Sequence, residues 1–205
     1  MNNPYKVIED FEHAVARYTG APYCVAVNSC TNAIFLSLMW YKKNDKNNEN
    51  YHNLYIPNKT YVSVPMQIIH AGMTPHFYKI DWKGCYQIEN TDIWDSARRF
   101  TSNMYKLGQF MCTSHHWTKI LGIQHGGCIL HDNPEADVWF RKARYDGRIE
   151  GMSPKNQVFD VVGYHMMMPP ENAAAGLVRL ANLPRHNDDL PNSDYPDLST
   201  FGIFK

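Results

Sequence analysis

Residues 7–80 alternate between helix-like and strand-like segments, and no other feature of the chain restricts its fold as strongly. Apolar residues recur at helical spacing from Val7 to Tyr18, whereas Tyr23–Val27 is a short, continuous apolar run typical of buried strands. The alternation continues with helix-like segments at Asn32–Tyr41 and Tyr61–Ala71 and strand-like segments at Leu54–Pro57 and Thr74–Ile80. This order predicts an α/β architecture, in which crossover helices connect the strands of a mostly parallel sheet.

The second half of the chain is less regular. It predicts three further strands and two helices, at Asp92–Asp95, Gln109–Thr113, Gly127–Leu130, Pro134–Tyr145 and Glu171–Leu183. Polar residues 42–53 predict a loop, and the Asn-, Asp- and Pro-rich residues after Pro184 predict an extended or partly disordered tail. We therefore expect one domain over residues 1–183 and a tail over residues 184–205.

Composition excludes several classes of protein. Apolar residues make up 44% of the 205, enough for a sizeable core. Lys and Arg number 20 and Asp and Glu number 20, and this balance disfavours a strongly basic nucleic-acid binder. No apolar run reaches membrane-spanning length, and the first residues do not resemble a signal peptide. The five cysteines are scattered without a CxxC pair, so we expect a reduced, cytoplasmic protein without a structural zinc site.

Two of the predicted strand ends carry residues that suit an anionic or flat ligand. The turn Asn28–Thr31 opens a helix with small residues, where backbone N–H groups and the helix dipole favour a phosphate. A plain Ser/Thr helix cap is the alternative. Tyr61 follows the next strand, and its ring can stack on a flat ligand or belong to the core.

Two later strand ends carry a carboxylate and an amine. Asp95 ends its strand among apolar residues, as a partner for a buried cation or as a helix cap. Ser114 ends the next strand, and Lys119 follows before Gly126-Gly127. Lys119 is a candidate Schiff-base nucleophile, with a surface lysine as the alternative, and Ser114 is a second candidate phosphate ligand. A phosphate site, a stacking ring, a carboxylate and an amine are together what pyridoxal 5'-phosphate requires.

The motifs also occur in a familiar order. The chain resembles the DegT/DnrJ/EryC1/StrS family of sugar aminotransferases from about residue 8 to residue 183. The resemblance is carried by Ala26 to Ala33, Ile69 to Pro75, Trp94 to Ala97, Ser114 to Lys119 with Gly126-Gly127, and Gly163 to Met168 with Ala173 to Gly176. It implies the large domain of a fold-type I pyridoxal-phosphate transferase, with helices on both faces of the sheet.

The resemblance implies a role for each matching residue. Lys119 is the Schiff-base lysine and proton shuttle, and Asp95 keeps the ring nitrogen of the cofactor protonated. Ser29, Cys30, Thr31 and Ser114 bind the phosphate, and Tyr61 stacks on the ring. Arg98 stands where the family has a cofactor-site glutamine. His165 stands where an asparagine reaches the cofactor of the partner subunit, which implies a homodimer with a shared active site.

Several positions depart from the family pattern. Cys30 replaces a glycine and is expected to crowd the phosphate turn, and Met166-Met167 replace a Tyr-Arg pair. The stretch Trp82 to Ile93 is short, where family members have a further strand and helix. We also expect the family's N-terminal segment and C-terminal small domain to be missing from this chain, which leaves the cofactor site nearly complete and the substrate site incomplete.

The leading functional hypothesis is an aminotransferase that moves an amino group from glutamate to a keto-sugar nucleotide, for amino-sugar and polysaccharide biosynthesis. A pyridoxal-phosphate dehydratase is one alternative, although family dehydratases carry a histidine where this chain has Lys119. A non-catalytic binding or assembly module is another. A zinc site formed by His115, His116, His125 and His131 is a further alternative, but these residues lack standard ligand spacing.

Overall fold

The computed structural model describes residues 5–44, 52–192 and 195–204, and its helices and strands follow the predicted order. The helices are α1 (Lys6–Thr19), α2 (Cys30–Asn44), α3 (Ser63–His70), α4 (Pro134–Ala143) and α5 (Pro170–Ala181). The strands are β1 (Tyr23–Val27), β2 (Asn53–Pro57), β3 (Thr74–Tyr78), β4 (Tyr86–Gln87), β5 (Ile93–Asp95), β6 (Phe110–Ser114) and β7 (Gly127–His131). Of the predicted loop at 42–53, residues 42–44 belong to α2, and residues 45–51 lie outside the described residues.

The central sheet is mixed, which corrects the prediction of a mostly parallel sheet. Its strand order is β1-β7-β6-β5-β4, and β2 and β3 form a separate parallel pair. Strands β5 and β6 are parallel, but β7 is antiparallel to both of its neighbours, β6 and β1. The reason is that the chain returns from β6 through residues 115–126 without a crossover helix, so β7 must run back beside β6. Strands β1, β5 and β6 still point in one direction.

Helices cover both faces of this sheet, as the α/β prediction requires. Side chains alternate along β1, so Cys24 and Ala26 join an apolar cluster with residues of α1 and α5. Val25 and Val27 face the other way and join a cluster that contains residues of α2, α3 and α4. Gly176 lets α5 approach α1, because a Cβ at this position would overlap the ring of Phe11.

Local sequence signals explain where α1 ends and α4 begins. Gly20 adopts φ 78°, a left-handed conformation that suits glycine, and its N–H donates to the carbonyl of Ala16. At the start of α4, the side chain of Asn133 accepts from the N–H of Ala136, and Pro134 occupies the first turn. These signals are contained in a few residues, so they can be read from the sequence.

Two segments have structure that the sequence did not predict. The short stretch from Trp82 to Ile93 forms β4, which runs antiparallel to β5 and pairs Tyr86 with Asp95. The described residues of the tail pack back on the domain through short 3-10 turns at Leu198–Thr200 and Gly202–Phe204, and Leu198 and Phe204 are buried. Within the described ranges, no helix is both long enough and apolar enough to cross a membrane.

Candidate active site

A cavity of about 400 Å³ lies where β1, β5 and β6 end. The carboxyl ends of aligned strands are the usual ligand site of open α/β sheets. The cavity brings together eight of the nine predicted site residues, namely Ser29, Cys30, Thr31, Tyr61, Asp95, Arg98, Ser114 and Lys119. These residues come from four separate parts of the chain, so the fold brings residues that are distant in sequence into one site.

The turn between β1 and α2 presents free backbone donors to the cavity. The N–H of Asn32 donates to Ser29 Oγ over 3.1 Å, and the N–H of Ala33 donates to the carbonyl of Ser29. The N–H groups of Cys30 and Thr31 have no intrahelical acceptor, because they belong to the first turn of α2. Together with the positive end of the helix dipole, they suit an anionic group such as phosphate.

Cys30 does not crowd this turn, contrary to the expectation from its replacement of a glycine. Its side chain is buried, and its Sγ donates to the carbonyl of Cys112 over 3.4 Å. The thiol therefore points into the core, and Cys30 still lines the cavity. Burial raises the pKa of Cys30 well above its usual value, so the thiol stays protonated and neutral.

Asp95 is held from two sides at the end of β5. The side chain is 3% exposed. The N–H of Ala97 donates to Oδ1 over 2.9 Å, and the hydroxyl of Tyr86 donates to Oδ2 over 3.0 Å. Burial raises the pKa of Asp95, while these two hydrogen bonds and the positive charge of Lys119 oppose the rise. A buried carboxylate held in this way suits a protonated ring nitrogen of a ligand.

Lys119 lies half-buried in the cavity, after the short turn that follows β6. Its backbone N–H donates to the carbonyl of His116 over 2.8 Å, and the residue lines the cavity. Burial lowers the pKa of Lys119, and the nearby guanidinium of Arg98 lowers it further. A lowered pKa provides more of the neutral amine, which is the form that attacks a carbonyl carbon.

The remaining wall of the cavity is aromatic. The Tyr61 ring is 54% exposed and meets the ring of Tyr195 at a centroid distance of 6.2 Å. Arg98 donates to the Tyr195 hydroxyl over 3.2 Å and lies 5.2 Å from the ring centroid. Sequence reasoning missed Tyr195 because the tail has no periodicity that would place it. It also missed Trp82, which lines the cavity too. The sequence of the short stretch from Trp82 to Ile93 predicts only a connection between two strands.

His165 does not line the cavity of its own chain. Its side chain is 92% exposed, and its Nδ1 lies 3.0 Å from Asp146 Oδ2. An exposed position is what a residue that reaches into a partner subunit needs, and the role of His165 in cofactor binding stays a prediction.

The four clustered histidines do not converge on a common point. His115 is buried against Phe11 and Phe100, and His131 is buried in β7. Only His116 and His125 face each other at the cavity, with ring centroids 5.8 Å apart. Within the described ranges, no three His, Cys, Asp or Glu side chains are grouped to hold a metal ion. The zinc alternative therefore has no ligand set here.

The residues present fit pyridoxal phosphate. The helix start supplies donors for the phosphate, Asp95 supplies the buried carboxylate, and Lys119 supplies an amine of lowered pKa. Gly127 packs directly against the turn Asn28–Thr31, which we call the phosphate turn. A Cβ at Gly127 would lie 2.5 Å from the backbone nitrogen of Cys30. The backbone of β7 thus supports the turn from below without a side chain between them.

Comparison with known proteins agrees with the family resemblance. A sequence profile described as the DegT/DnrJ/EryC1/StrS aminotransferase family matches residues 1–102 and 102–189. The spore coat polysaccharide biosynthesis protein SpsC of Bacillus subtilis (strain 168) is 38% identical over 74 residues, which are 36% of this chain and 18% of SpsC. The resemblance inferred from the motifs is therefore confirmed.

Solved structures show the same fold. NtdA from Bacillus subtilis, with its cofactor PMP bound, aligns with a TM-score of 0.67 and 17% identity over 86% of this chain and 48% of NtdA. GDP-4-keto-6-deoxymannose-3-dehydratase (ColD), with bound GDP-perosamine, aligns with a TM-score of 0.67 and 16% identity over 88% of this chain and 61% of ColD. The predicted fold class and cofactor class are thus confirmed for the family. The chain spans less than two thirds of the length of each of these relatives.

Proposed function

Because the chain belongs to the DegT/DnrJ/EryC1/StrS aminotransferase family, we propose that it is a pyridoxal-phosphate-dependent aminotransferase. The observation that carries this proposal is the convergence of Lys119 and Asp95 on one cavity beside the start of α2. A protein that only binds or assembles has no need of both a buried carboxylate and an amine of lowered pKa. This argues against the non-catalytic alternative.

The residues of the site divide the work of amino transfer. Pyridoxal phosphate, when bound, supplies an electron sink that stabilises negative charge on the substrate carbon. The N–H groups of Cys30 and Thr31, with Ser29 and Ser114, bind the phosphate. Asp95 keeps the ring nitrogen protonated, and Tyr61 packs on the ring. The amine of Lys119 would hold the cofactor and, once displaced by the incoming amine, would move a proton between the substrate carbon and the amino nitrogen.

The proposed substrate is a keto-sugar nucleotide, and the proposed amino donor is glutamate. SpsC is named for spore coat polysaccharide biosynthesis, and ColD for a dehydration of a keto-sugar nucleotide. These names support a sugar-nucleotide substrate for this chain. We further propose a cytoplasmic homodimer, in which the exposed His165 of each subunit reaches the cofactor phosphate of the other.

A dehydratase is the second candidate, since ColD shares the fold. Family dehydratases carry a histidine at the position of Lys119. His115 cannot take that place, because it is buried against Phe11 and Phe100 and does not line the cavity. His116 does line the cavity, so a dehydratase would have to use His116 as its catalytic histidine. The presence of Lys119 favours transamination instead.

The first experiment is the visible absorption of the protein with added pyridoxal phosphate. We expect a band in the wild type that borohydride abolishes, and no such band in Lys119→Ala. Lys106→Ala serves as the control, because Lys106 lies outside the cavity, near the ring of Trp94. A band that persists in Lys119→Ala, or that is missing from the wild type, contradicts the proposal.

Adding glutamate then separates the two candidate reactions. For an aminotransferase, glutamate converts the visible band to that of the amine form and releases 2-oxoglutarate in equal amount. We expect Lys119→Ala, which lacks the band, to release 2-oxoglutarate about 10²–10⁴-fold more slowly, the usual effect of removing a positioned acid-base group. Conversion of a keto-sugar nucleotide by loss of water, without net amino transfer, would instead identify a dehydratase.

A further inference from the structure

A buried tyrosine connects the catalytic carboxylate to β4. The hydroxyl of Tyr86 lies 3.0 Å from Asp95 Oδ2 and 2.5 Å from Thr60 Oγ1. Tyr86 is 5% exposed and Thr60 is 0% exposed, so water does not compete for these contacts. The three groups form one chain of hydrogen bonds at the cavity wall, which Thr60 and Asp95 line and Tyr86 does not.

The chemistry of the three groups sets the direction of this chain. An ionised carboxylate only accepts hydrogen bonds, so the Tyr86 hydroxyl must donate to Asp95. The oxygen of Tyr86 is then an acceptor, and Thr60 must donate to it. Burial raises the pKa of Tyr86 well above its usual value, and the charge of Asp95 raises it further, so the phenol keeps the proton that it donates.

From this arrangement we propose that Tyr86, oriented by Thr60, is a positioning residue that keeps Asp95 ionised and aimed at the ring nitrogen of the cofactor. The inference rests on the proposed function and adds to it a residue that acts through Asp95. The N–H of Ala97 holds Oδ1 while Tyr86 holds Oδ2, so the carboxylate cannot rotate without breaking one of the two hydrogen bonds.

The short segment between Trp82 and Ile93 makes this contact possible. It turns back as β4 and pairs Tyr86 directly with Asp95 in register. Trp82 packs against Tyr86 with ring centroids 4.7 Å apart, and its Nε1 donates to the carbonyl of Lys59 over 2.9 Å. Packing therefore holds the ring of Tyr86 in place, and its hydroxyl forms hydrogen bonds with Asp95 and Thr60.

Other charged and titratable groups surround Asp95 and remain in place when the Tyr86 hydroxyl is removed. Lys119 and Arg98 face it as cations and lower its pKa. Three cysteines interact with it from α2, β6 and the segment before β4, namely Cys30, Cys112 and Cys85. Burial raises the pKa of each of these thiols, to about 12 for Cys112, so they stay neutral in the usual working range.

The test compares Tyr86→Phe with Tyr41→Phe. Tyr41 is also buried, and its hydroxyl donates to the carbonyl of Asn90 over 2.8 Å, in the same segment as Tyr86 but outside the cavity. Both variants lose one buried hydroxyl, so a purely structural effect appears in both. The readouts are the dissociation constant of pyridoxal phosphate, the pH midpoint of the Lys119-dependent visible band, and the melting temperature.

For Tyr86→Phe we expect pyridoxal phosphate to bind roughly tenfold more weakly, because a hydrogen bond to a charged group is lost. The pH midpoint of the band moves up by about half a unit or more, since a more basic Asp95 draws the proton from the ring nitrogen. Tyr41→Phe leaves both values as in the wild type. Equal values for the two variants would overturn the inference.

Thr60 provides a second, independent test if Tyr86→Phe does not fold. Thr60→Val removes the donor to Tyr86 at nearly constant volume, and Thr60→Ser restores it. Because Thr60 also lines the cavity, the deciding readout is the pH midpoint of the Lys119-dependent band. We expect Thr60→Val to raise this midpoint and Thr60→Ser to keep the wild-type value, and no difference between the two contradicts the inference. If the wild type itself has no Lys119-dependent band, the proposed function fails. If that band is present but insensitive to Tyr86 and Thr60, only the present inference fails.

Discussion

At the scale of single residues, Gly127 is a position of the site that has no room for a side chain. A Cβ there would lie 2.5 Å from the nitrogen of Cys30, 2.6 Å from the carbonyl carbon of Ser29 and 2.8 Å from the carbonyl oxygen of Thr113. All three are backbone atoms of the phosphate turn or of β6, so they cannot yield by a change of rotamer. The absence of a side chain at Gly127 is what lets β7 support the turn.

We therefore expect Gly127→Ala to displace the phosphate turn. The variant should lose about 1–3 kcal/mol of unfolding free energy, the usual cost of overpacking, and bind pyridoxal phosphate more weakly. Urea unfolding and a cofactor titration measure both effects. Gly202→Ala is the control, because nothing lies within 4 Å of a Cβ at Gly202. Wild-type affinity in Gly127→Ala would show that the turn tolerates the shift.

At the scale of elements, a buried ion cluster fixes β1 just before the phosphate turn. Glu12 of α1 is 2% exposed and accepts from the N–H of Ala26 over 2.7 Å. Arg144, which follows α4, forms an ion pair with Glu12 and donates to the carbonyl of Ala26. Arg141 of α4 also pairs with Glu12, over 2.6 Å. Both polar backbone groups of Ala26 are thus held by side chains, which ties α1 and α4 to β1.

Removing the charge of Glu12 should strongly destabilise the fold. We expect Glu12→Gln to cost about 3 kcal/mol of unfolding free energy, because it removes the buried carboxylate that Arg141 and Arg144 share and leaves Arg144 with Glu150 alone. Glu9→Gln is the matched control on the same helix, where the Glu9 side chain is 50% exposed. A similar small loss in both variants would show that the cluster contributes little.

The acid response of Glu12 has a definite sign. Burial alone would raise its pKa, but Arg144 and Arg141 outweigh burial and hold the pKa below the usual value. A carboxyl group with a lowered folded pKa stabilises the protein above its unfolded pKa of about 4.3. This stabilisation is lost as pH falls through the folded pKa.

At the scale of the whole molecule, His131 makes the unfolding free energy depend on pH at values above those where carboxyl groups usually titrate. Its ring is 0% exposed and stacks with Tyr23 and Phe110 at centroid distances of 5.4 Å and 5.7 Å. Burial lowers the pKa of His131 to about 4, although Asp137, at 3.7 Å, acts to raise it. The folded protein therefore keeps this imidazole neutral where the unfolded chain takes up a proton, at an unfolded pKa of about 6.5.

The stability that neutral His131 contributes is complete above about pH 6.5 and is lost progressively as pH falls toward 4. The loss should reach roughly 3 kcal/mol, at 1.36 kcal/mol for each unit of pKa difference. We expect His131→Leu to flatten the unfolding free energy over this range, measured by urea denaturation at several pH values. His186→Leu, at an 85% exposed position, should leave the slope unchanged. A wild-type slope in His131→Leu would contradict the assignment.

The described part of the tail also acts at this scale, because it completes one wall of the cavity. Arg99 pairs with Asp189 over 2.5 Å, and the N–H of Leu198 donates to the carbonyl of Asn58 over 2.8 Å. These contacts hold the tail before and after Tyr195, which lines the site. The division of the chain at residue 183 stays a prediction, and residues 193, 194 and 205 of the predicted tail lie outside the described residues.

The amino-acid sequence by itself determined the order of most helices and strands and indicated most of the candidate residues that line the cavity. Apolar periodicity, Gly20 and Pro134 are local signals, so each element can be recognised without its neighbours. Asp95 could be predicted because it ends β5, and Lys119 because it lies in the loop after β6, since strand ends meet at one edge of an α/β sheet.

Only the tertiary structure decided the strand order, the reversed direction of β7 and the partners of Asp95. Strand pairing depends on which distant segments bury each other's apolar faces, and no local pattern encodes that choice. The same holds for Tyr86 and Tyr195, which enter the site through packing of a short connection and of an aperiodic tail. Cys30 is the converse case, since tertiary packing turned its thiol into the core and removed the crowding that its position predicted.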